Sequence, residues 1–412
     1  MTTRQNSRTV EATTTNKPHA PTVIIVGGGI AGLHAAVALR RDVDAAVTII
    51  EPTAHHQFLT RLAGVAAGAQ PVGDAATPLA ALIPEANIVT HRAAHIDEHP
   101  DAVTVHLDND VTLSADAVIV TAGAEPTRPP IKGWSKARPL RSAADALVIR
   151  SSLETSDGVV VVGAGATGCQ LAATAAVVHP GLSITLVDGS DRVMPGFRPA
   201  LGQRAASILR ERGVELRLGE RVVSIKRSSV VLEGSNEQVD GTVVWAGGFQ
   251  AQGDAFGLGA TRDGRLVIDA LGRTAGSTRV FAAGDVAAHT DRRSDLRPMS
   301  AQIAAQAGRG VGANVAAYLC RKGLQALVLN DLGWIVDLGG GQGVAEVLGI
   351  PLADRFSDRL VPLLHTAIDY RNLWQLGGVS FMRAFGPGGS DTPTQGDLAS
   401  DLEAFGVHLD ES

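Results

Sequence analysis

The sequence is poor in cysteine, in aromatic residues and in long apolar runs, and each shortage removes a class of protein. Its 412 residues include two cysteines, Cys169 and Cys320. They form no Cys-x-x-Cys, which excludes a zinc ribbon and an adjacent-dithiol redox centre. Both are expected to be small buried side chains in a reducing compartment. Aromatic residues make up 4% against 47 glycines, the composition of an α/β protein with many close backbone approaches and not of an all-β sandwich. No run of 18 apolar residues occurs, so no single helix is expected to span a bilayer. Residues 1–20 are rich in Thr and Asn, lack the apolar centre of a signal peptide, and read as a disordered arm. Excess basic charge is missing too. The net charge of −6 and a pI near 6.1 argue against nucleic acid as the main partner. That charge is local: 387–412 holds Asp391, Asp397, Asp401, Glu403, Asp410 and Glu411 with no Lys or Arg. This acidic tail is expected to be disordered.

What is present begins at Pro21. The β-branched run Thr22-Val23-Ile24-Ile25-Val26 meets Gly27-Gly28-Gly29-Ile30-Ala31-Gly32, and an alanine-rich helix over Leu33 to Arg40 follows. In such a Gly-x-Gly-x-x-Gly turn Gly27 makes the tight bend, Gly29 lets a pyrophosphate approach the backbone, and Gly32 lets helix and strand pack closely. A second strand, Val47 to Ile50, ends in Glu51, 24 residues after Gly27, where a carboxylate can accept from an adenosine ribose. A hairpin over Val103 to Leu113 then leads to a buried strand, Ala117 to Val120, ending at Ala122-Gly123. His55 and His56, with no third ligand near them in the chain, read as surface or packing residues.

The pattern then repeats in the same order. Gly158 to Val162 runs into Gly163-Ala164-Gly165-Ala166-Thr167-Gly168, and the strand Ser183 to Val187 ends in Asp188. A hairpin near Val222 to Leu232 precedes Thr242 to Trp245 and Gly247-Gly248. One chain therefore carries two dinucleotide-binding units. A third glycine signal, Val280 to Ala283 followed by Gly284-Asp285, precedes a helix from near Pro298 to Leu319. On it Gln302 and Gln306 share one face at i, i+4, a pattern that by itself fits a solvated polar stripe. Leu338 to Gly349 is glycine-rich and strand-like, and Leu360 to Phe385 is a basic amphipathic stretch. The latter fits a membrane interface or a groove against a second subunit equally.

These motifs resemble the two-dinucleotide-binding-domain flavoproteins of the pyridine nucleotide oxidoreductase superfamily, and within them the type II NADH:quinone oxidoreductases, over residues 21–385. The resemblance implies an α/β fold of two Rossmann-like domains with a C-terminal α+β segment. FAD would take 21–142 and 267–330, NADH would take 143–266, and 331–386 would form the interface segment. Gly27, Gly29, Gly32, Glu51, Ala122, Gly123, Gly284 and Asp285 would hold FAD. Gly163, Gly165, Gly168, Asp188, Gly247 and Gly248 would hold NADH. The charge of Asp188 favours NADH over NADPH, and Arg192 leaves NADPH open. His56-Gln57-Phe58 matches the family's segment after the ribose acid. Ala301-Gln302-Ile303-Ala304-Ala305-Gln306 resembles its quinone-site motif, which turns the two glutamines into substrate-binding residues. Gln170 stands where the family usually has a Glu that positions the nicotinamide or handles a proton; an amide cannot titrate. The implied protein is a cytoplasmic enzyme, peripheral on the inner face of the membrane through 360–385, or a homodimer through the same stretch. A soluble reductase of a metabolite, carrier protein or dioxygen, and a nucleotide-bound redox sensor without turnover, are the alternatives.

Overall fold

The computed structural model describes residues 20–234, 237–259, 261–291, 293–354, 360–368, 371, 375–377 and 398–407. The first unit begins with β1 (Thr22–Val26), α1 (Ile30–Asp42), β2 (Ala46–Ile50), β3 (Asn87–Val89) and β4 (Ala117–Val120). The second contains β5 (Arg138–Pro139), α2 (Ala143–Thr155), β6 (Gly158–Val162), α3 (Ala166–Val178), β7 (Ser183–Asp188), β8 (Glu215–Leu218) and β9 (Thr242–Trp245). The chain then returns to the first unit as β10 (Val280–Ala282) and α4 (Ala301–Leu319).

Both main sheets are five-stranded and parallel, in the orders β10-β4-β1-β2-β3 and β5-β9-β6-β7-β8. Helices cover a parallel sheet on both faces, so its central strands are apolar throughout and do not alternate. Four of the five residues of β1, and four of the five of β6, are buried accordingly. The outer strand of each sheet comes from elsewhere in the chain: β10 arrives after the whole second unit, and β5 arrives from before it. α4 lies against α1 at backbone distance, since a Cβ added at Gly308 would sit 2.2 Å from Ala31 O and one at Gly312 would sit 2.3 Å from Ala35 O.

Several expectations are corrected. Arg138–Pro139 pairs with β9, so the second unit begins before 143. Phe256 and Leu266 pack in the first unit's core with Ile24, Val118 and Val280, so the second unit ends soon after β9 and not at 266. The cause is the crossing ribbon, in which Ala124–Pro126 pairs antiparallel with Phe249–Ala251 and carries the returning chain home early. Cys169 is buried as expected, but Cys320 is exposed, at the C-cap of α4. The acidic tail is not featureless: Leu398–Ala404 is helical, and Leu398, Leu402, Phe405 and Val407 pack against the core that α2 helps form. Leu398, Leu402 and Phe405 fall at i, i+4, i+7, an apolar stripe that the surrounding acids mask in composition. The arm over 1–19, and much of 360–385 and of the tail, lie outside the described residues.

The C-terminal α+β segment is a three-stranded antiparallel sheet, Gly333–Asp337, Gly343–Val347 and Ile350–Leu352, followed by helical residues 361–368. Arg212 fastens it to the second unit, donating to Gly339 O at 2.8 Å, to Gln342 Oε1 at 2.9 Å and to Ala173 O on α3 at 3.0 Å.

Candidate functional site

The two glycine turns form a pair of matching cradles at the carboxyl ends of their sheets. In the first, Gly27 has φ +107°, and a Cβ there would lie 2.4 Å from Thr121 O. A Cβ at Gly32 would lie 2.1 Å from Gly27 O, while one at Gly29 would meet nothing within 4 Å. In the second, Gly163 has φ +113° and would approach Ala246 O at 2.4 Å; Gly168 would approach Gly163 O at 1.9 Å, and Gly165 again meets nothing. The outer glycines are thus required by backbone packing and the middle one by open space. Neither α1 nor α3 has a side-chain N-cap or an acid in its first turn, so unpaired N–H groups and the positive end of each helix face that space. This is the geometry of a pyrophosphate site.

The acid at the tip of the next strand closes each cradle in the same way. Glu51 Oε2 accepts from Gly28 N at 3.0 Å, and its Oε1 accepts from Thr53 Oγ1 at 3.0 Å. Asp188 Oδ2 accepts from Ala164 N at 2.6 Å, and its Oδ1 accepts from Ser190 N at 2.7 Å. Each carboxylate keeps further lone pairs for a ribose. Around the second acid a pocket is lined by Gly163, Asp188, Gly189, Arg221, Trp245 and Gly247. Arg192 is turned away, donating to Pro195 O and, at 3.1 Å, to Phe197 O. The cation in this pocket is Arg221, which packs on Gly189 and which no sequence signal singled out. Gly247 O and Gly248 O both accept from Thr127 Oγ1, at 3.0 and 3.3 Å, while Gln170 lies half-buried on α3.

Gly284 and Asp285 end β10 beside the first cradle; a Cβ at Gly284 would come within 2.9 Å of Ala31 Cβ. Burial raises the Asp285 carboxyl above its usual range, opposed by Arg141 and Arg265. Arg141 also lies 3.3 Å from where a Gly123 Cβ would be, so the ends of β4 and β10, with Ala122 packed beneath, converge there. An open cradle, a strand-tip acid and a second acid between arginines fit a long flavin dinucleotide in the first unit. The second cradle fits a nicotinamide dinucleotide.

Gln302 and Gln306 line another pocket, with Arg309, Asn330, Arg371 and Gln375. Their amide groups are already engaged. Gln302 Nε2 donates to Asp331 Oδ1 at 3.0 Å and Gly333 O at 2.8 Å, while its Oε1 accepts from Leu332 N at 3.0 Å. Gln306 Nε2 donates to Gln302 O at 3.1 Å and Asn330 O at 2.9 Å, and its Oε1 accepts from Asn330 N at 2.8 Å. All four amide N–H donors are thus committed within the fold, three to the 330–333 segment that forms the pocket wall and one to Gln302 O on α4, so the glutamines shape the pocket instead of offering these donors to a substrate carbonyl.

The pyridine nucleotide-disulphide oxidoreductase family profile matches residues 21–308. The chain belongs to that family. The type II NADH:quinone oxidoreductase of Staphylococcus aureus (strain NCTC 8325 / PS 47) is 26% identical over 392 residues, 87% of this chain and 96% of that one. The type II NADH:quinone oxidoreductase Ndh of Mycobacterium tuberculosis is 29% identical over 326 residues, 67% of this chain and 69% of its own. Among solved structures, NDH2 from Plasmodium falciparum in complex with NADH superposes with TM-score 0.71 at 16% identity, covering 91% of this chain and 99% of that one. Putidaredoxin reductase, in its covalent complex with putidaredoxin, gives TM-score 0.68 at 24% identity over 79% and 81%.

Membership in the pyridine nucleotide-disulphide oxidoreductases makes the protein an FAD-dependent NAD(P)H oxidoreductase. It carries no disulphide of its own: Cys169 and Cys320 are both free, and burial pushes the Cys169 thiol up, further from a reactive thiolate. His56 has a packing role as expected, with Nδ1 2.9 Å from Gly28 O and its ring edge-on to Phe58. Burial lowers His34 to about 3, with Arg309 and His56 adding to the effect, and lowers His56 and His289 to about 4. In the unfolded chain these imidazoles take up protons below their ordinary 6.5, whereas in the fold His56 and His289 stay neutral until near pH 4 and His34 until near pH 3. The unfolded state then binds more protons, so stability is full above pH 6.5 and falls on acidification toward pH 4. Each histidine should contribute a loss of about 1.4 kcal/mol per pH unit in that window. Denaturant unfolding between pH 7 and 5 checks this, and His289→Gln should reduce the slope; a slope unchanged by that substitution would refute it.

Proposed function

We propose that the protein takes a hydride from NADH and passes two electrons to a quinone-type acceptor, with NADH, H⁺ and quinone giving NAD⁺ and hydroquinone. The observation that carries this reading is the doubled cradle, one per sheet, each with open space before an uncapped helix. FAD, when bound, supplies the two-electron relay, so no side chain is required as a nucleophile. Gly27, Gly29, Gly32, Glu51, Ala122, Gly123, Gly284 and Asp285 hold it. Gly163, Gly165, Gly168, Asp188, Gly247 and Gly248 hold NADH. Asp188 repels a 2′-phosphate and Arg192 faces elsewhere, which favours NADH; Arg221 is the residue that would accommodate NADPH. Gln302 and Gln306 act as positioning residues for the acceptor pocket. Gln170 cannot titrate and has no proton to move. The relatives named type II NADH:quinone oxidoreductase support the acceptor class.

Peripheral membrane contact is the second part of the proposal. No helix among the described residues is long and apolar enough to cross a membrane, yet Leu348, Ile350 and Leu363 are 72%, 64% and 68% exposed in the C-terminal segment. Such side chains lie at ease in a bilayer interface. Co-sedimentation with liposomes checks this; a protein that stays in the supernatant and elutes as a dimer assigns the surface to a second copy instead.

An anaerobic absorbance titration tests the redox reading. NADH should bleach the bound flavin, and a water-soluble quinone should restore its colour. Bleaching without recovery would make the protein a reductase of some other acceptor, and no bleaching would leave a nucleotide-bound sensor.

A further inference from the structure

We propose that the pocket between α4 and the C-terminal segment selects an electron acceptor bearing an anionic group, such as a carboxylate or sulfonate on a quinone ring, gripped by Arg309 and Arg371. This inference rests on reading that pocket as the acceptor site.

Four observations lead there. First, six of the eight residues lining the pocket carry polar or charged side chains, two of them the arginines. At about 220 Å³ it is smaller than the ~300–1,000 Å³ typical of a drug-sized ligand, so it takes a head group and not a long tail. Second, the neutral donors are committed, since the N–H groups of Gln302 and Gln306 hold Asp331, Gly333, Asn330 and the helix backbone. Third, the arginines have donors to offer. Arg309 Nη1 donates to Gln375 Oε1 at 2.7 Å, and among the described residues no carboxylate pairs with either guanidinium. The carboxylate of Asp331 is itself engaged by Gln302 Nε2 and Gly333 N, both at 3.0 Å. Fourth, burial and the nearby charge of Arg371 hold Arg309 below its usual range. Two like charges facing one pocket repel, and an anion between them removes the repulsion. A guanidinium fork matches a carboxylate, sulfonate or phosphate better than it matches a single carbonyl oxygen. The anionic group is a handle only: the hydride and proton go to the ring, and the substituent leaves unchanged on the hydroquinone.

The test compares the FAD-loaded protein with its Arg309→Gln and Arg371→Gln variants, using 1,4-naphthoquinone and 1,4-naphthoquinone-2-sulfonate as acceptors. The ratio of kcat/KM for the sulfonate to that for the parent quinone should fall roughly tenfold in each variant. Because the readout is the change in ratio, the different potentials of the two quinones cancel. Arg309→Lys, which keeps the charge, should retain part of the preference, and NADH-driven flavin reduction without acceptor reports that each variant is folded and loaded. A ratio unmoved by either substitution overturns the proposal while leaving quinone reduction intact. Failure of wild type to reduce either quinone overturns the acceptor reading itself. If both substitutions leave the ratio alone but abolish binding to phosphatidylglycerol vesicles, the anion is a lipid phosphate and the acceptor proposal falls.

Discussion

A Gly165→Ala protein is expected to purify yellow and to stay yellow when NADH is added without oxygen. The argument is one of space. Gly165 has φ −73° and ψ −173°, extended backbone that alanine adopts without strain, and its added Cβ meets no protein atom within 4 Å. The methyl therefore leaves the fold and the first cradle untouched. It enters the gap before α3, where a pyrophosphate would take hydrogen bonds from the helix N–H groups. Hydrogen bonds to a charged group contribute about 1.5–3 kcal/mol each, so losing two, ~3–6 kcal/mol, should weaken NADH a hundredfold or more, with no change in melting temperature. The twin substitution Gly29→Ala, at φ −72° and equally open, should yield a folded but colourless protein. Absorbance spectra and NADH titration of the two variants decide the assignment. If Gly165→Ala loses flavin and Gly29→Ala keeps it, the two cradles are assigned the wrong way round.

The largest stability effect is expected at Gly308. Its Cβ would lie 2.2 Å from Ala31 O and 2.9 Å from Ala31 Cα, which are backbone atoms of α1 and cannot rotate away. Gly308→Val must push α4 off α1, and overpacking a close-packed core costs about 1–3 kcal/mol or more. At ~2–4 °C per kcal/mol for a domain of this size, the melting temperature should drop by several degrees. Flavin should also be lost, because α1 carries the first cradle at its N-terminus. Gly310→Ala is the control on the same helix. Its Cβ meets only the Leu327 side chain, closest at a terminal methyl 2.6 Å away, and alanine gains about 1 kcal/mol in helix propensity, so that variant should be neutral or more stable. Circular-dichroism melts and flavin content report both; equal melts for Gly308→Val and wild type would refute the packing argument.

Much of this protein is legible along the chain because its cradles are local. A strand, a glycine turn, a helix and an acid-tipped strand lie within about 30 residues, and sterics of the turn dictate which residues can stand where. Gly27, Gly29, Gly32 and Glu51, with their repeats Gly163, Gly165, Gly168 and Asp188, could therefore be named from spacing alone. So could the doubling of the unit and the lack of a cysteine relay. The tertiary structure decided the matters that depend on distant partners competing for one another. Which strand completes each sheet, where the returning chain rejoins the first core at Phe256 and Leu266, and which way Arg192 turns are not encoded in any short window. The tail helix was hidden because three apolar residues were outweighed by acids until α2 offered them a surface. The amides of Gln302 and Gln306 looked free because their partners at 330–333 lie 24 to 31 residues further along the chain. Arg309 and Arg371, 62 positions apart in the sequence, share one pocket only once α4 and the C-terminal segment have packed together. Local sterics act through the covalent chain and can be read from it, whereas hydrogen-bond donors and charges acquire their roles only when folding decides which of them are already satisfied.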